Sequence, residues 1–156
     1  MRAFGSWTTG YETVLDDGKT HVVRVDLPVD EGGRSAGTSA LELSVLSLAG
    51  CVTTTFLLIA RRRRLSVEGL HIALEAERPP RSPTITRVHG TLRVRTPASP
   101  SEVETTLRLA VRTCPVGVVF ERAGIAVEVQ PIVEPTGGLG AATPTATLSP
   151  PVLHAA

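Results

Sequence analysis

Aromatic residues are scarce in this chain. Phe, Trp and Tyr make up 3% of its 156 residues, so a core must be filled by Leu, Val, Ile and Ala. Lysine is scarcer still: Lys19 stands alone, and the basic charge is otherwise arginine. The formal net charge of +1 argues against a polyanion or a polycation as partner, and no nucleic-acid role is expected. Two cysteines, Cys51 and Cys114, are too few for the disulfide framework of a small secreted protein. The residues after Met1, RAFGSWTTGYET, lack the apolar stretch of a signal peptide, so the cytoplasm is the expected compartment. His21, His71, His89 and His154 are scattered without ligand spacing, so no metal is expected. Gly32-Gly33 precedes a helical pattern but lacks the phosphate-binding or dinucleotide fingerprint, and no cofactor is expected.

What the chain does have is one long apolar run, Leu41 to Ala60, LELSVLSLAGCVTTTFLLIA. It carries no charge from Leu43 to Ala60 and ends against Arg61-Arg62-Arg63-Arg64. Ser39-Ala40-Leu41-Glu42 fits a capping box, which starts a helix near residue 40. Continued to Arg64, that helix has about 24 residues and a length of ~36 Å. A helix apolar on all sides must be surrounded. Its length would permit a membrane span. Against that stand Glu42 at its start, Ser44, Ser47 and Thr53 to Thr55 within it, and amphipathic strands on either side that need a core partner. A core helix is therefore expected, and no membrane. The four arginines read as its solvated last turn, where cations complement the helix dipole.

The remaining elements fall into order around this helix. Tyr11–Asp16 and His21–Leu27 read as a hairpin with Asp17-Gly18 as the turn dipeptide. Residues 28–40 form a Gly- and Ser-rich loop. His71–Glu77 and Thr84–Arg95 alternate as strands and are expected to pair antiparallel. Ser99-Pro100-Ser101-Glu102 is a second capping box with Pro at the first helical position. Val103, Leu107, Ala110 and Cys114 then share one helical face, so Cys114 points to the core. Pro115 interrupts that helix and restarts a shorter one, Gly124 stops it, and Ile125–Ile132 is a last strand. Residues 133–156, rich in Pro, Gly, Ala and Thr, are expected to be a flexible tail behind a single domain of residues 1–132. The fold class is α+β. The long helix is more apolar than one small sheet can cover, so a homodimer with its helices packed together is expected.

Several of these stretches together carry a resemblance. SALELSVLSLAGC with the Thr-rich helix that follows, the arginine run, the VEGL turn at Val67–Leu70, the later Cys114-Pro115-Val116, and the approach VDLPVDEGGRSAGTSALEL resemble the OsmC/Ohr family over roughly residues 8–132. The resemblance implies antiparallel sheets around a long central helix in an intertwined homodimer. It also implies thiol-dependent reduction of organic hydroperoxides. Cys51 would be the attacking thiol, oxidised to a sulfenic acid. Cys114 would be the resolving thiol, and a small dithiol would restore both.

By residue type alone the bland alternative is two unrelated buried cysteines, since free Cys is among the most buried residues. In peroxidase members of the family an Arg from the first hairpin and a Glu near the start of the long helix flank the thiol. Glu42 is the only acidic candidate here, one position closer to the cysteine than in those members. Nine residues turn an ideal helix through about 180°, so Glu42 and Cys51 face opposite ways unless the first turn is distorted or a second subunit intervenes. Capping is its alternative role. Where the Arg would stand, the chain has Gly10-Tyr11-Glu12, leaving Arg24 and Arg34 as substitutes. Two functions therefore stay open: a hydroperoxide reductase using Cys51 and Cys114, or a non-catalytic member of the same fold that binds a small apolar molecule or senses oxidants.

Overall fold

Two separate three-stranded sheets and three helices make up the computed structural model, which describes residues 1–136. The expected tail lies outside the described residues from residue 137 onward. The first sheet is antiparallel, β1 (Phe4–Thr9), β2 (Glu12–Asp16) and β3 (Val22–Val25) in that order. A 3-10 turn (Val29–Glu31) leads to α1 (Ala40–Arg62). The second sheet holds β4 (Gly69–Glu77), β5 (Arg87–Arg95) and β6 (Ala126–Glu134), with α2 (Pro100–Thr113) and α3 (Pro115–Arg122) between β5 and β6. β4 and β5 pair antiparallel in one unbroken register from Gly69↔Arg95 to Glu77↔Arg87. β6 runs parallel to β5, because the two-helix crossover returns the chain to the starting end of the sheet. Pro131, which has no N–H to donate, is tolerated in β6 because β6 is an edge strand.

Both long helices begin as their sequences require. The Ser39 hydroxyl accepts from the Glu42 N–H at 3.2 Å, and the Glu42 carboxylate accepts from the Ser39 N–H at 2.7 Å. Ser99 and Glu102 repeat the arrangement at α2. Each such cap contributes about 1 kcal/mol. From α1 one stripe spaced by four residues, Leu48, Val52, Phe56 and Ala60, is buried in the core. It meets Val88, Leu92 and Val94 of β5 and Val103, Leu107 and Ala110 of α2. The opposite side stays open, with Leu46 58%, Leu57 43% and Leu58 54% exposed. By length and composition α1 could cross a membrane. Its buried stripe marks it as the core helix of this domain.

Three features differ from the sequence expectation. β1 is a strand in its own right, joined to β2 through Gly10 at φ +55°. All six of its residues are exposed, so no alternation betrays it. The β2–β3 connection is wider than a two-residue turn. Asp17 organises it by accepting from the N–H groups of Lys19, Thr20 and His21. β6 also continues past Ile132, so that Val133 and Glu134 pair with Val94 and Arg95.

The first sheet packs on none of the helices or strands of the rest of the chain to any extent. It is tethered by the loop after β3. The buried Asp26 carboxylate accepts from the N–H groups of Leu27, Arg34 and Ala36 at 2.9, 3.0 and 3.1 Å. Those bonds, Ala36 first, hold its carboxyl below the usual carboxylate range. Gly33 lies so close to the Leu27 carbonyl that a Cβ would stand 1.9 Å from its oxygen. Gly33→Ala must therefore displace the loop, at a cost of about 1–3 kcal/mol. Urea denaturation checks this, and an alanine variant as stable as the parent would show that the loop is not anchored there.

Candidate thiol site

Cys51 sits in the fourth turn of α1, half-buried and packed against the core beside the open face of the helix. Cys114 comes from the break between α2 and α3. Pro115 cannot continue α2, so Cys114 adopts an extended conformation, φ −62° and ψ 119°, and becomes the N-cap of α3. Its side chain is wholly buried. The Gly117 N–H donates to Cys114 Sγ at 3.3 Å. Gly117 has no room for a larger residue, because a Cβ would lie 2.9 Å from the Val111 carbonyl oxygen.

The two cysteines are brought together, and both are free thiols. Burial first, and then hydrogen bonding with Cys51, push the Cys114 thiol up to about 11. The Gly117 N–H pulls the other way without overcoming them. A bond that raises an acid's pKa favours its protonated form. The pair has one thiol within reach of solvent and one that keeps its proton.

Glu42 is not brought to the pair within the chain. Its Oε2 accepts from the Ser39 N–H and, at 3.2 Å, from the Thr38 hydroxyl. Its carboxyl is held below the usual range, by the Ser39 backbone first. Along the axis it lies about 13 Å from Cys51. Within one subunit it is a capping residue.

Arg24 and Arg34 are engaged elsewhere. Glu12, 4% exposed at the head of β2, is gripped by both: Arg24 on Oε1, and Arg34 on Oε2 at 2.6 Å. A buried carboxylate paired twice is a strong local anchor, since removing one partner would strand a charge. It ties β2, β3 and the loop of Arg34 into one unit. Little in the sequence points to this trio. Glu12 shares a strand face with Val14 and Arg24, but nothing in its spacing says that it is buried.

A cleft of about 500 Å³ with an apolar floor is lined by neither cysteine. It lies at the start of α1, between the loop at Leu27 and the end of β4. Among the described residues no group of His, Cys, Asp or Glu could hold a metal ion.

The comparisons agree with this architecture. A family model described as OsmC-like protein matches residues 32–130. An OsmC-like protein from Mycoplasma pneumoniae superposes with a TM-score of 0.75 at 12% identity, covering 85% of this chain and 95% of that one. An organic hydroperoxide resistance protein OsmC from Legionella pneumophila gives 0.64 at 15% identity, covering 84% and 96%. A putative organic hydroperoxide resistance protein from Vibrio cholerae, with captopril bound in one of its active sites, gives 0.65 at 16% identity, covering 84% and 91%. At these identities the likeness is one of fold. No curated protein matches.

The thiol pair predicts a division of reactivity. Under native conditions at neutral pH, iodoacetamide should label Cys51 and leave Cys114 untouched until the chain unfolds, as read by peptide mass spectrometry. The raised Cys114 value also links folding to pH. Above its ordinary value of 9.0 the unfolded chain releases this proton while the folded chain, up to about 11, does not. Stability should therefore fall across that window, and less so in Cys114→Ala. Equal labelling of both thiols in the folded protein would contradict the assignment.

Proposed function

We propose, from the premise that the chain belongs to the OsmC-like family, that it is a thiol peroxidase reducing organic hydroperoxides through Cys51 and Cys114. The observation that carries this reading is the accessible thiol of Cys51 beside the buried, protonated thiol of Cys114. Two structures of similar fold are named as organic hydroperoxide resistance proteins, which supports it.

The chemistry closes with these two groups and a reductant. Cys51, as thiolate, attacks the terminal oxygen of the hydroperoxide. The O–O bond breaks, the alkoxide leaves and is protonated to the alcohol, and Cys51 becomes a sulfenic acid. Cys114 then attacks the Cys51 sulfur, forming the disulfide, and its proton leaves with the hydroxyl as water. A small dithiol reduces the disulfide by exchange and is itself oxidised. The reducing cytoplasm suits such a cycle.

The second subunit belongs to the same proposal. The open side of α1 and the first sheet are two unmatched surfaces of one chain. Phe4, Trp7 and Tyr11, three of the chain's five aromatic residues, are 50%, 72% and 60% exposed on that sheet. A homodimer would cover both surfaces. It would also be the only way for Glu42 to approach a Cys51, that of the other subunit.

A second reading keeps support from Glu12. Both arginines named as substitute activators are engaged by it, so among the described residues no cation acts on Cys114. Such a protein would be a slow oxidant sensor or a binder of small apolar molecules. Stopped-flow consumption of cumene hydroperoxide by the reduced protein separates the two. The peroxidase should consume one equivalent quickly, Cys51→Ser none, and Cys114→Ser one equivalent with the sulfenic acid trapped by dimedone. Consumption by Cys51→Ser at the parent rate would end the peroxidase reading.

Gly50 tests the dimer separately. It is exposed on α1, and a Cβ there meets nothing within 4 Å. Gly50→Leu should leave the fold of one chain intact but block close approach of a second α1. Light scattering should show a dimer for the parent and a shift toward monomer for the variant. A monomeric parent refutes the assembly.

A further inference from the structure

The first turn of α3 has few donors to place. A helix start ordinarily carries four N–H groups without helical partners. Pro115 has no N–H, and the Val118 N–H donates to the Cys114 carbonyl at 2.9 Å. The N–H groups of Val116 and Gly117 remain, and both act on the Cys114 sulfur, Gly117 from 3.3 Å. Burial pushes that thiol up, and these two N–H groups pull it down. Cys114 and Gly117 are both buried, so water does not compete for the donors.

A sulfur is an uncommon cap. Helix N-caps are ordinarily Ser, Thr, Asp or Asn, whose oxygens accept well. A neutral thiol accepts weakly, so Cys114 gains little from these N–H groups while it keeps its proton. A thiolate accepts strongly, because a hydrogen bond to an ionised partner is about twice as strong as a neutral one. The same two donors therefore favour the charged sulfur over the neutral one. Donors fixed in advance where charge develops accelerate the step that develops it.

We infer that the backbone N–H groups of Gly117 and Val116 are catalytic in both redox steps of Cys114, an inference that rests on the reading of Cys114 as the disulfide partner of Cys51. In the resolving step the Cys114 sulfur attacks the sulfur of the Cys51 sulfenic acid. The S–O bond breaks, and the Cys114 proton leaves with the hydroxyl as water. Negative charge gathers on the Cys114 sulfur as that proton departs, and the two N–H groups receive it. In the return step Cys114 is buried, so a thiolate of the reducing dithiol attacks the Cys51 sulfur instead. The disulfide breaks, and Cys114 leaves as a thiolate held by the same N–H groups before it takes up a proton. The second thiol of the reductant then displaces Cys51 and closes the oxidised dithiol.

The test needs no peroxide, so it is separate from the test of peroxidase activity. The reduced full chain receives one equivalent of dithiodipyridine, and thiopyridone release is followed by stopped-flow absorbance. The first release reports the mixed disulfide on Cys51, and the second reports its displacement by Cys114. Gly117→Pro and Gly117→Ala are compared. Both bring the Cβ that stands 2.9 Å from the Val111 carbonyl oxygen, and only proline removes the N–H. The second release should be about three- to tenfold slower in Gly117→Pro than in Gly117→Ala. That is the effect of one hydrogen bond to a charged group, reduced because a less stabilised thiolate is a better nucleophile. Reduction of the Cys51–Cys114 disulfide by dithiothreitol should slow in the same order. A role in packing alone would slow both variants alike. Val116→Pro against Val116→Ala repeats the comparison without that crowding, and it decides the matter should Gly117→Pro fail to fold. Equal second phases in the folded proline and alanine variants overturn the assignment, and so does a parent that releases only one thiopyridone.

Discussion

An α-helix that is apolar all round has to be covered all round, and most of this structure follows from how α1 meets that demand. One stripe, Leu48 to Ala60, is covered by β5 and α2. Full burial of a Leu or Phe side chain stabilises by about 1.5–3 kcal/mol, so this stripe outweighs every other feature of the helix. The basic last turn at Arg61 and Arg62 contributes only about 0.3–1 kcal/mol through the helix dipole. Each capping box is of the same small order. Caps and charges set where α1 begins and ends, while burial decides where it lies. The face left over, with Leu46, Leu57 and Leu58 outward, is the reason a second copy enters the proposed function.

The same constraint explains which parts of the fold could be read in advance. Both capping boxes, the break at Cys114-Pro115, and the alternation of β4 and β5 are local signals. Each is decided by residues within a few positions of one another, and each was legible. β1 was not. Hydrophobic alternation reports burial inside one chain, and Phe4 to Thr9 are buried by nothing in theirs. The parallel pairing of β6 was not legible either, because a strand's pattern does not state the direction of its neighbour. The burial of Glu12 was not legible for a related reason. An acid in a hairpin is ordinarily solvated, and only the three-dimensional convergence of Arg24 and Arg34 makes its burial tolerable.

At the thiols, backbone and chemistry are one device. The Pro115 ring forces Cys114 out of helical conformation. That same step leaves the first N–H groups of α3 without helical partners. Cys114 Sγ takes one of them, from Gly117, and the missing Cβ of Gly117 lets the short helix close up against Val111. A cysteine followed by a proline thus delivers a second thiol to α1 in a fixed pose. The sequence showed the helix break and the cysteine separately. Their meeting depends on α1 and α3 packing together.

The charges of this chain are committed away from its thiols. A thiolate in an apolar helix needs a partner that pays for its burial, and a guanidinium is the strongest candidate. Arg24 and Arg34 are committed to Glu12, and Glu42 to Ser39 and Thr38. Beside Cys51, among the described residues of one subunit, stands the thiol of Cys114. A neutral thiol is a weak donor, but Cys114, buried as it is, has no hydration shell to lose. It also arrives with the proton that the resolving step must release as water. In the proposed cycle the buried thiol therefore does twice what a cation would do once: it steadies the attacking sulfur, and then it consumes the product of the attack.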